Sequence, residues 1–417
     1  MDWPGLARAD GARGLLRALG ILTGVAGAAL WVMSLMLMLR FPALDARFGG
    51  IDRQYFAHHL TGTLAYLLLL AHPVLLVAAA WPASPATAAA LAAPWGQPFG
   101  VTAGWIALGG LMAMMCATFF SGLPYMRWKR LHAASGIAYL FALLHVAALL
   151  PAAGAGRIGA MVLLVAMVAG LAAIAVRRAL DRGSLAARHF RVERVQRASP
   201  ATVEVTLAPQ GAEAPLDYAP GQFVFVSFDS GPGYAGCHEY HPFTISSAPD
   251  AHKAPQFSLL IKALGDCTAR MQHLAPGIVA RVQGPYGGMF READFSRAQL
   301  WLGGGIGITP FLAMAAALPA NAAGVDLYYL ARDAAEAPGL EALRAAAQKN
   351  PRLRVFALVA NEDPRAVRAA VEASSAPLAS REVYLCGPPG MLQETLAWLA
   401  AAGVPETNIH AERFDFR

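Results

Sequence analysis

The chain has 417 residues, with 33 Lys+Arg and 27 Asp+Glu. Only 14% are charged, against roughly 25% in a soluble globular protein. With 56% hydrophobic residues and a mean hydropathy of +0.43, composition excludes a disordered chain, an acidic binding tail and an ordinary cytosolic enzyme.

The charges are unevenly placed. Residues 1–182 hold 18 of them and residues 183–417 hold 42. None falls between Gln54 and Met126, or between Leu131 and Gly156. The first part reads as membrane, the rest as soluble domains. A net charge of +6 in such a chain reads as loop bias at a membrane rather than nucleic-acid binding. The four cysteines, Cys116, Cys237, Cys267 and Cys386, form no CxxC pair. That argues against a zinc ribbon, an iron–sulfur cluster or a disulfide framework. No cleavable signal peptide is evident, because the first apolar run is long enough to span.

A spanning helix needs about 20 apolar residues. Five segments qualify, at about 18–39, 58–80, 101–122, 131–151 and 158–177. Arginines 177, 178, 182, 188 and 191 follow the last one and put its end in the cytoplasm. Counting back, Arg127, Lys129 and Arg130 lie inside, the charge-free loop 82–100 outside, and Arg40, Arg47 and Arg53 inside. The N-terminus is then outside, although it carries Arg8, Arg13 and Arg17. The pattern predicts an inner-membrane location with the soluble domains in the cytoplasm.

The second and fourth spans carry His58, His59 and His72, and His132 and His145. Ionisable groups within spans are expensive and mark function. A single one also fits an interhelical hydrogen bond, but these come as matched pairs. The pairs His58/His72 and His132/His145 are each separated by roughly 20 Å of helix. If the two helices run in the same direction, His58 and His132 share one level and His72 and His145 the other. Facing imidazoles at two levels are what two bis-histidine haems require. Gly62 and Gly136 each follow the first histidine of a pair by four residues, removing a side chain where a porphyrin approaches. His59 is an alternative to His58.

After Arg182, "HFRVERV", "ATVEVTLA", "GQFVFVSF" and "QFSLLIKAL" alternate like strands. They predict a small antiparallel barrel over about 184–292. From Ala298, strands alternate with helices, including one near 339–349, and predict a parallel doubly wound sheet. Three motifs carry chemistry. "HPFTISSAP" offers Phe243 with the hydroxyls of Thr244, Ser246 and Ser247. "KALGDCT" offers Lys262 and a Gly-bounded turn suited to a pyrophosphate. "GGGIGITP" follows a strand and opens a helix, as a dinucleotide loop does, and "YLCGPPGM" would end a parallel strand at the same edge.

Taken together, these motifs and the two His-bearing helices resemble the ferric reductase/NADPH oxidase superfamily. The chain is similar to bacterial flavocytochromes with a ferric-reductase-like membrane domain. The resemblance implies an all-α transmembrane haem domain over 1–182, an FAD-binding β-barrel over 183–296 and an NADPH-binding α/β domain over 297–417. It implies that His58 and His132 bind an inner haem b and His72 and His145 an outer one. His241, Pro242, Phe243 and Thr244, with Ser246 and Ser247 behind them, would hold the flavin and ribityl parts of FAD. Lys262, Gly265 and Thr268 would hold its phosphates. Gly304, Gly305, Gly307, Thr309, Pro310, Gly387 and Pro388 would contact the nicotinamide cofactor, and Arg332 its 2′-phosphate. Cys386 would sit at hydride transfer, and Phe416, or else Phe414, would stack on the flavin. The family usually shows six spans; five are counted here, the first missing. Arg17 would then lie near the outer haem and stabilise a developing anion such as superoxide. Expected partners are NADPH, lipid, and O2 or a ferric chelate as acceptor, or a periplasmic protein that takes the electrons.

Overall fold

The computed structural model describes residues 11–39, 51–81, 84–120, 122–123, 125–182, 187–237, 239–249, 255–291, 293–359, 364–372 and 377–412. They fall into two compact units: one holds the membrane helices up to Ala179, the other everything from the first strand onward.

In the first unit, α1 spans Gly11–Leu37, α2 Ile51–Ala80, α4 Phe99–Phe120, α5 Tyr125–Leu149 and α6 Arg157–Arg182. All five are long and apolar enough to cross a membrane. A short helix that the hydropathy pattern did not indicate, α3 (Pro85–Ala92), lies within the charge-free loop. Its start is local chemistry: Pro85 occupies the first turn, and the Ser84 hydroxyl accepts the Thr87 N–H at 3.1 Å.

Lipid-facing helices gain nothing from hydrophobicity, so close packing holds them. Small residues supply it. A Cβ on Gly20 or Gly27 would strike Leu76 or Leu69 of α2, and one on Gly100 or Gly110 would strike Ala148 or Ala138 of α5. The centre is Tyr139, 1% exposed, edge-on to Trp31 at 5.3 Å. Its hydroxyl donates to the Met167 carbonyl of α6 at 3.0 Å.

The second unit begins with six antiparallel strands: β1 (Arg188–Ser199), β2 (Thr202–Pro209), β3 (Phe223–Phe228), β4 (His241–Thr244), β5 (Phe257–Lys262) and β6 (Val279–Tyr286). Their order is β4-β3-β6-β1-β2-β5. A bridge between Ile245 and Leu259 joins the two outer strands and curls the sheet into a barrel. Phe190, Val205, Val224, Ile245 and Leu259 fill it. A single turn of helix, α7 (Asp266–Arg270), follows β5.

A parallel sheet follows, ordered β11-β10-β7-β8-β9. Its strands are β7 (Gln299–Gly304), β8 (Val325–Ala331), β9 (Leu353–Val359), β10 (Glu382–Cys386) and β11 (Ile409–Glu412). Helices α8 (Thr309–Ala317), α9 (Leu340–Lys349), α10 (Pro364–Glu372) and α11 (Pro389–Ala401) provide the crossovers. Buried Asp326 receives the guanidinium groups of exposed Arg354 (2.6 Å) and buried Arg381 (2.9 Å), so the two desolvated charges, Asp326 and Arg381, are paired. Barrel and sheet share a seam. Phe290, just past β6, stacks on Tyr384 of β10 at 4.8 Å and packs against Trp301 and Phe311.

Candidate functional site

In the membrane unit, α2 and α5 bring their histidines ring to ring. His58 and His132 have ring centres 6.1 Å apart, and His72 and His145 6.2 Å apart. Two metal–nitrogen bonds of roughly 2 Å each, placed in line, put ring centres about 6 Å apart. Both pairs form despite the spacings of 14 and 13 residues, which differ by a hundred degrees of ideal helix.

Backbone carbonyls fix the rings. His72 Nδ1 donates to Gly20 O at 2.6 Å, and His145 Nδ1 to Gly100 O at 2.7 Å. His58 Nδ1 donates to Ser34 O at 2.9 Å. A carbonyl only accepts, so the proton sits on Nδ1 and Nε2 keeps a lone pair for a metal. Glycines make room: a Cβ on Gly24 would come 2.6 Å from His72 Nδ1, and one on Gly104 2.7 Å from His145 Nδ1. The first hairpin thus repeats in the second, with a G-x-x-x-G stripe facing a histidine each time. His132 departs from the pattern, its buried Nδ1 making no hydrogen bond among the described residues. The donor set and the spacing fit bis-histidine haem at both levels.

Sequence reading had singled out Gly62 and Gly136. Gly136 does face open space, but Gly62 faces the Ser34 hydroxyl. The glycines that seat the His72 and His145 rings, Gly24 and Gly104, lie on helices without histidines and were missed. Their signal was the paired G-x-x-x-G. His59 is exposed beside His58, and it is the His58 ring that bonds to α1. Arg17 is exposed on α1, three residues before Gly20.

In the barrel, "HPFT" is itself β4, paired with β3 so that Phe243 lies opposite Val224 and Thr244 opposite Phe223. Thr244 is buried, and His241, Pro242 and Phe243 are half-buried. The Ser247 hydroxyl accepts the Ser258 N–H and contacts the Tyr218 hydroxyl, both at 3.0 Å, which pins the barrel closure. Ser246 Oγ is buried with no partner among the described residues. That open hydroxyl, beside an aromatic strand, suits the polar edge of a flavin. The turn after β5 differs from expectation. Thr268 Oγ1 already accepts the N–H groups of Leu264 and Gly265, each at 3.0 Å, so these amides are spent on the turn itself. Lys262 ion-pairs with Glu336 at 3.4 Å.

In the parallel sheet, β7 and β10 are neighbours, Cys386 standing opposite Gly303. Their loops touch backbone to backbone. A Cβ on Gly307 would lie 2.5 Å from the Cys386 carbonyl oxygen, and one on Gly304 would strike Met391. Gly305, at φ +54°, faces open space. The loop makes a 3-10 turn before α8 begins at Thr309, whose hydroxyl donates to Ile306 O at 2.5 Å. Pro310 lies buried in the first turn of α8; Gly387 packs on Met391, and Pro388 caps α11. This cradle fits a dinucleotide at a helix N-terminus. Arg332 is exposed just past β8. Cys386 is fully buried, and burial, then Glu412, pushes its thiol well above the usual range. β11 ends at Glu412, against Gly287 of the barrel. Phe414 and Phe416 lie outside the described residues.

Three family models match in this order: "Ferric reductase like transmembrane component" over residues 23–143, "FAD-binding domain" over 189–288 and "Oxidoreductase NAD-binding domain" over 301–396. The ferredoxin reductase component of 3-ketosteroid-9-alpha-monooxygenase from Mycolicibacterium smegmatis is 32% identical over 53% of this chain and 64% of its own length. A flavohemoprotein from Bordetella pertussis is 30% identical over 54% and 60%. The chain thus spans less than two thirds of these curated relatives. The crystal structure of flavohemoglobin from Malassezia yamatoensis aligns over 97% of this chain and 98% of its own, with TM-score 0.50 and 20% identity, a likeness of fold.

Proposed function

We propose that this flavin-dependent membrane oxidoreductase carries electrons from cytoplasmic NADPH across a bacterial inner membrane to an acceptor on the far side, with O2 favoured and superoxide the product. The family models support the starting point: a ferric reductase-like membrane domain is joined to FAD- and NAD-binding domains. We take the boundaries to fall near residues 182 and 296. The observation that carries the proposal is the pair of imidazole pairs, each at the spacing a bis-histidine metal needs. When bound, FAD and two haem b groups supply the redox chemistry.

The chain's own residues do the positioning. His58 with His132 holds the inner haem, and His72 with His145 the outer. Gly20, Gly100 and Ser34 aim Nε2 by binding Nδ1–H. Held by two imidazoles at each level, a haem would supply electron transfer alone, and the acceptor would take its electron without a bond to the metal. Arg17, one turn from the carbonyl that orients His72, offers a cation to a developing anion and so favours O2. In the barrel, His241 to Thr244 line the flavin, with the open Ser246 hydroxyl at its polar edge and Ser247 closing the barrel behind it; Lys262 offers its cation to the phosphates beside the turn that Gly265 and Thr268 shape. The Gly304–Pro310 loop and Gly387–Pro388 receive the dinucleotide, and Arg332 selects its 2′-phosphate. Cys386 borders the hydride-transfer position; the flavin-stacking role that the family resemblance gives Phe416, or else Phe414, falls outside the described residues. The arginines that end α6 favour a cytoplasmic side for the flavin and nucleotide domains.

The test is one detergent preparation. Haem per chain is measured by pyridine haemochrome, and NADPH oxidation is followed with O2, with a ferric chelate, and with added periplasmic extract. Two haems and O2-dependent superoxide support the proposal. Faster reduction of ferric chelate without O2 makes it a chelate reductase. Turnover only with extract makes it the donor to a partner enzyme. A preparation without porphyrin iron sinks the membrane path.

A further inference from the structure

Three rings from three separate segments stack at the seam of barrel and sheet. Phe290, just past β6, lies on Tyr384 of β10 at 4.8 Å and 28°, and His410 of β11 lies on Tyr384 at 4.6 Å and 16°. Tyr384 is fully buried and His410 half-buried. The His410 Nε2 donates to Glu382 Oε2 at 2.7 Å. A carboxylate only accepts, so the proton sits on Nε2. Arg297, from the segment that joins barrel to sheet, donates to the other Glu382 oxygen. It also donates to the Ser380 carbonyl at 3.2 Å and to Asn408 Oδ1 at 3.5 Å, just ahead of β11. Ring and carboxylate thus clasp a strand that has little else to hold it. β11 has four residues, stands at the edge of the sheet and pairs with β10 alone.

We propose that His410 is a positioning residue for hydride transfer: it closes the Phe290–Tyr384–His410 stack and so holds β11, with Glu412, against Cys386. The strand register carries the argument. His410 stands opposite Tyr384, and Glu412 opposite Cys386. Side chains two apart on a strand share a face, so the stack lies about 7 Å from Cys386 and Glu412 on the same side of the sheet. Glu412 in turn meets the barrel, its Oε1 lying 3.5 Å from where a Cβ on Gly287 would be. The stack therefore gauges how the loop after β6, the end of β10 and the end of β11 arrive at one point. Phe414 and Phe416 follow β11 in sequence. This role rests on the proposed binding of FAD and NADPH. In the step concerned, the nicotinamide C4–H bond breaks and its hydride, with both electrons, passes to the oxidised flavin, leaving NADP+ and the reduced flavin anion. His410 exchanges nothing in that step; it acts through β11.

Full-length protein in detergent is compared with His410→Ala, with His410→Phe, which keeps a ring, and with His410→Gln, which keeps a hydrogen-bond donor. Phe356→Ala is the control. It removes a stack of the same kind, at 4.8 Å on Tyr328, from the opposite edge strand β9. Hydrogen exchange is read on flavin-free protein. The amides of residues 409–412 should exchange on the order of 10-fold faster in His410→Ala and keep their protection in His410→Phe. Flavin reduction by NADPH is then followed by anaerobic stopped flow, per bound FAD. His410→Ala should lower the limiting rate on the order of 10-fold at an unchanged NADPH dissociation constant, because a displacement of about 1 Å from the reacting geometry costs up to about 100-fold. The isotope effect with 4-deuterated NADPH should rise, since it reports donor–acceptor distance, which a loss of stability alone leaves unaltered. His410→Phe should recover most of the rate. Where His410→Ala yields no folded protein, His410→Gln, which lacks the ring, is held to the same criteria. Unchanged exchange of β11, an unchanged rate and isotope effect, a loss confined to FAD content, or equal slowing in Phe356→Ala overturns the role. A wild-type chain that binds no FAD overturns the flavin reading together with it. A chain that binds FAD and is reduced equally fast in every variant overturns the role of His410 alone.

Discussion

The His72 imidazole fills the space that a side chain on Gly24 would need, since a Cβ there would meet Nδ1 at 2.6 Å. Gly104 and His145 repeat the relationship at 2.7 Å. Adding atoms to a packed interior costs about 1–3 kcal/mol, and here the neighbour that must yield is the proposed ligand. Gly24→Ala and Gly104→Ala should each lower haem from two per chain toward one. Gly109→Ala, which meets nothing within 4 Å, should leave it unchanged. Equal haem content in all three variants would show that these glycines do not seat the His72–His145 level.

Tyr139→Phe removes only the hydroxyl that reaches the Met167 carbonyl. Such interhelical bonds in membranes contribute about 0.6 kcal/mol, up to about 1.7. The variant should unfold a few degrees lower in detergent, read by tryptophan fluorescence, with haem spectra unaltered. A changed spectrum would mean that Tyr139 acts on the histidines and not on helix packing alone.

Gly307→Ala sets a methyl against the Cys386 carbonyl, where backbone meets backbone and no side chain can turn away. The two loops must part. NADPH-driven flavin reduction should slow by roughly 10-fold or more, as about 1–3 kcal/mol of overpacking implies. Gly390→Ala, in open space four residues after Cys386, is the control. Stopped-flow bleaching of the flavin measures both.

Arg332→Ala should raise the KM for NADPH by roughly 10-fold and leave that for NADH nearly unchanged, because a charge-assisted contact to a phosphate is lost only with the phosphorylated cofactor. Equal losses with both cofactors would remove Arg332 from 2′-phosphate recognition.

Cys386 predicts alkaline lability. Its thiol sits above the ordinary value of 9.0 when folded. The unfolded chain therefore releases this proton first, and the group's contribution, complete below about pH 9, declines as pH rises further. Thermal unfolding of the soluble unit between about pH 8 and about pH 10 should show this slope, and Cys386→Ala should flatten it. Cys267, raised for a similar reason, adds to the slope and remains in that variant.

The spans were legible because a bilayer demands length and apolarity from each helix separately. The histidine levels followed from rise per residue. What seats those rings was not legible, since Gly24 and Gly104 act on a neighbouring helix and nothing within one span names its neighbour. The strands of barrel and sheet were readable from alternation and from Gly/Pro punctuation. The fate of particular polar groups was not: Thr268 spends its hydroxyl on the Leu264 and Gly265 amides, and Ser247 spends its own on barrel closure. Those are choices of local geometry, which composition leaves open.

Each helical hairpin of the membrane unit contributes one imidazole to each level. Neither hairpin alone offers a two-sided seat. Whatever lodges between the rings becomes a rivet, fastening α1 and α2 to α4 and α5 at two heights.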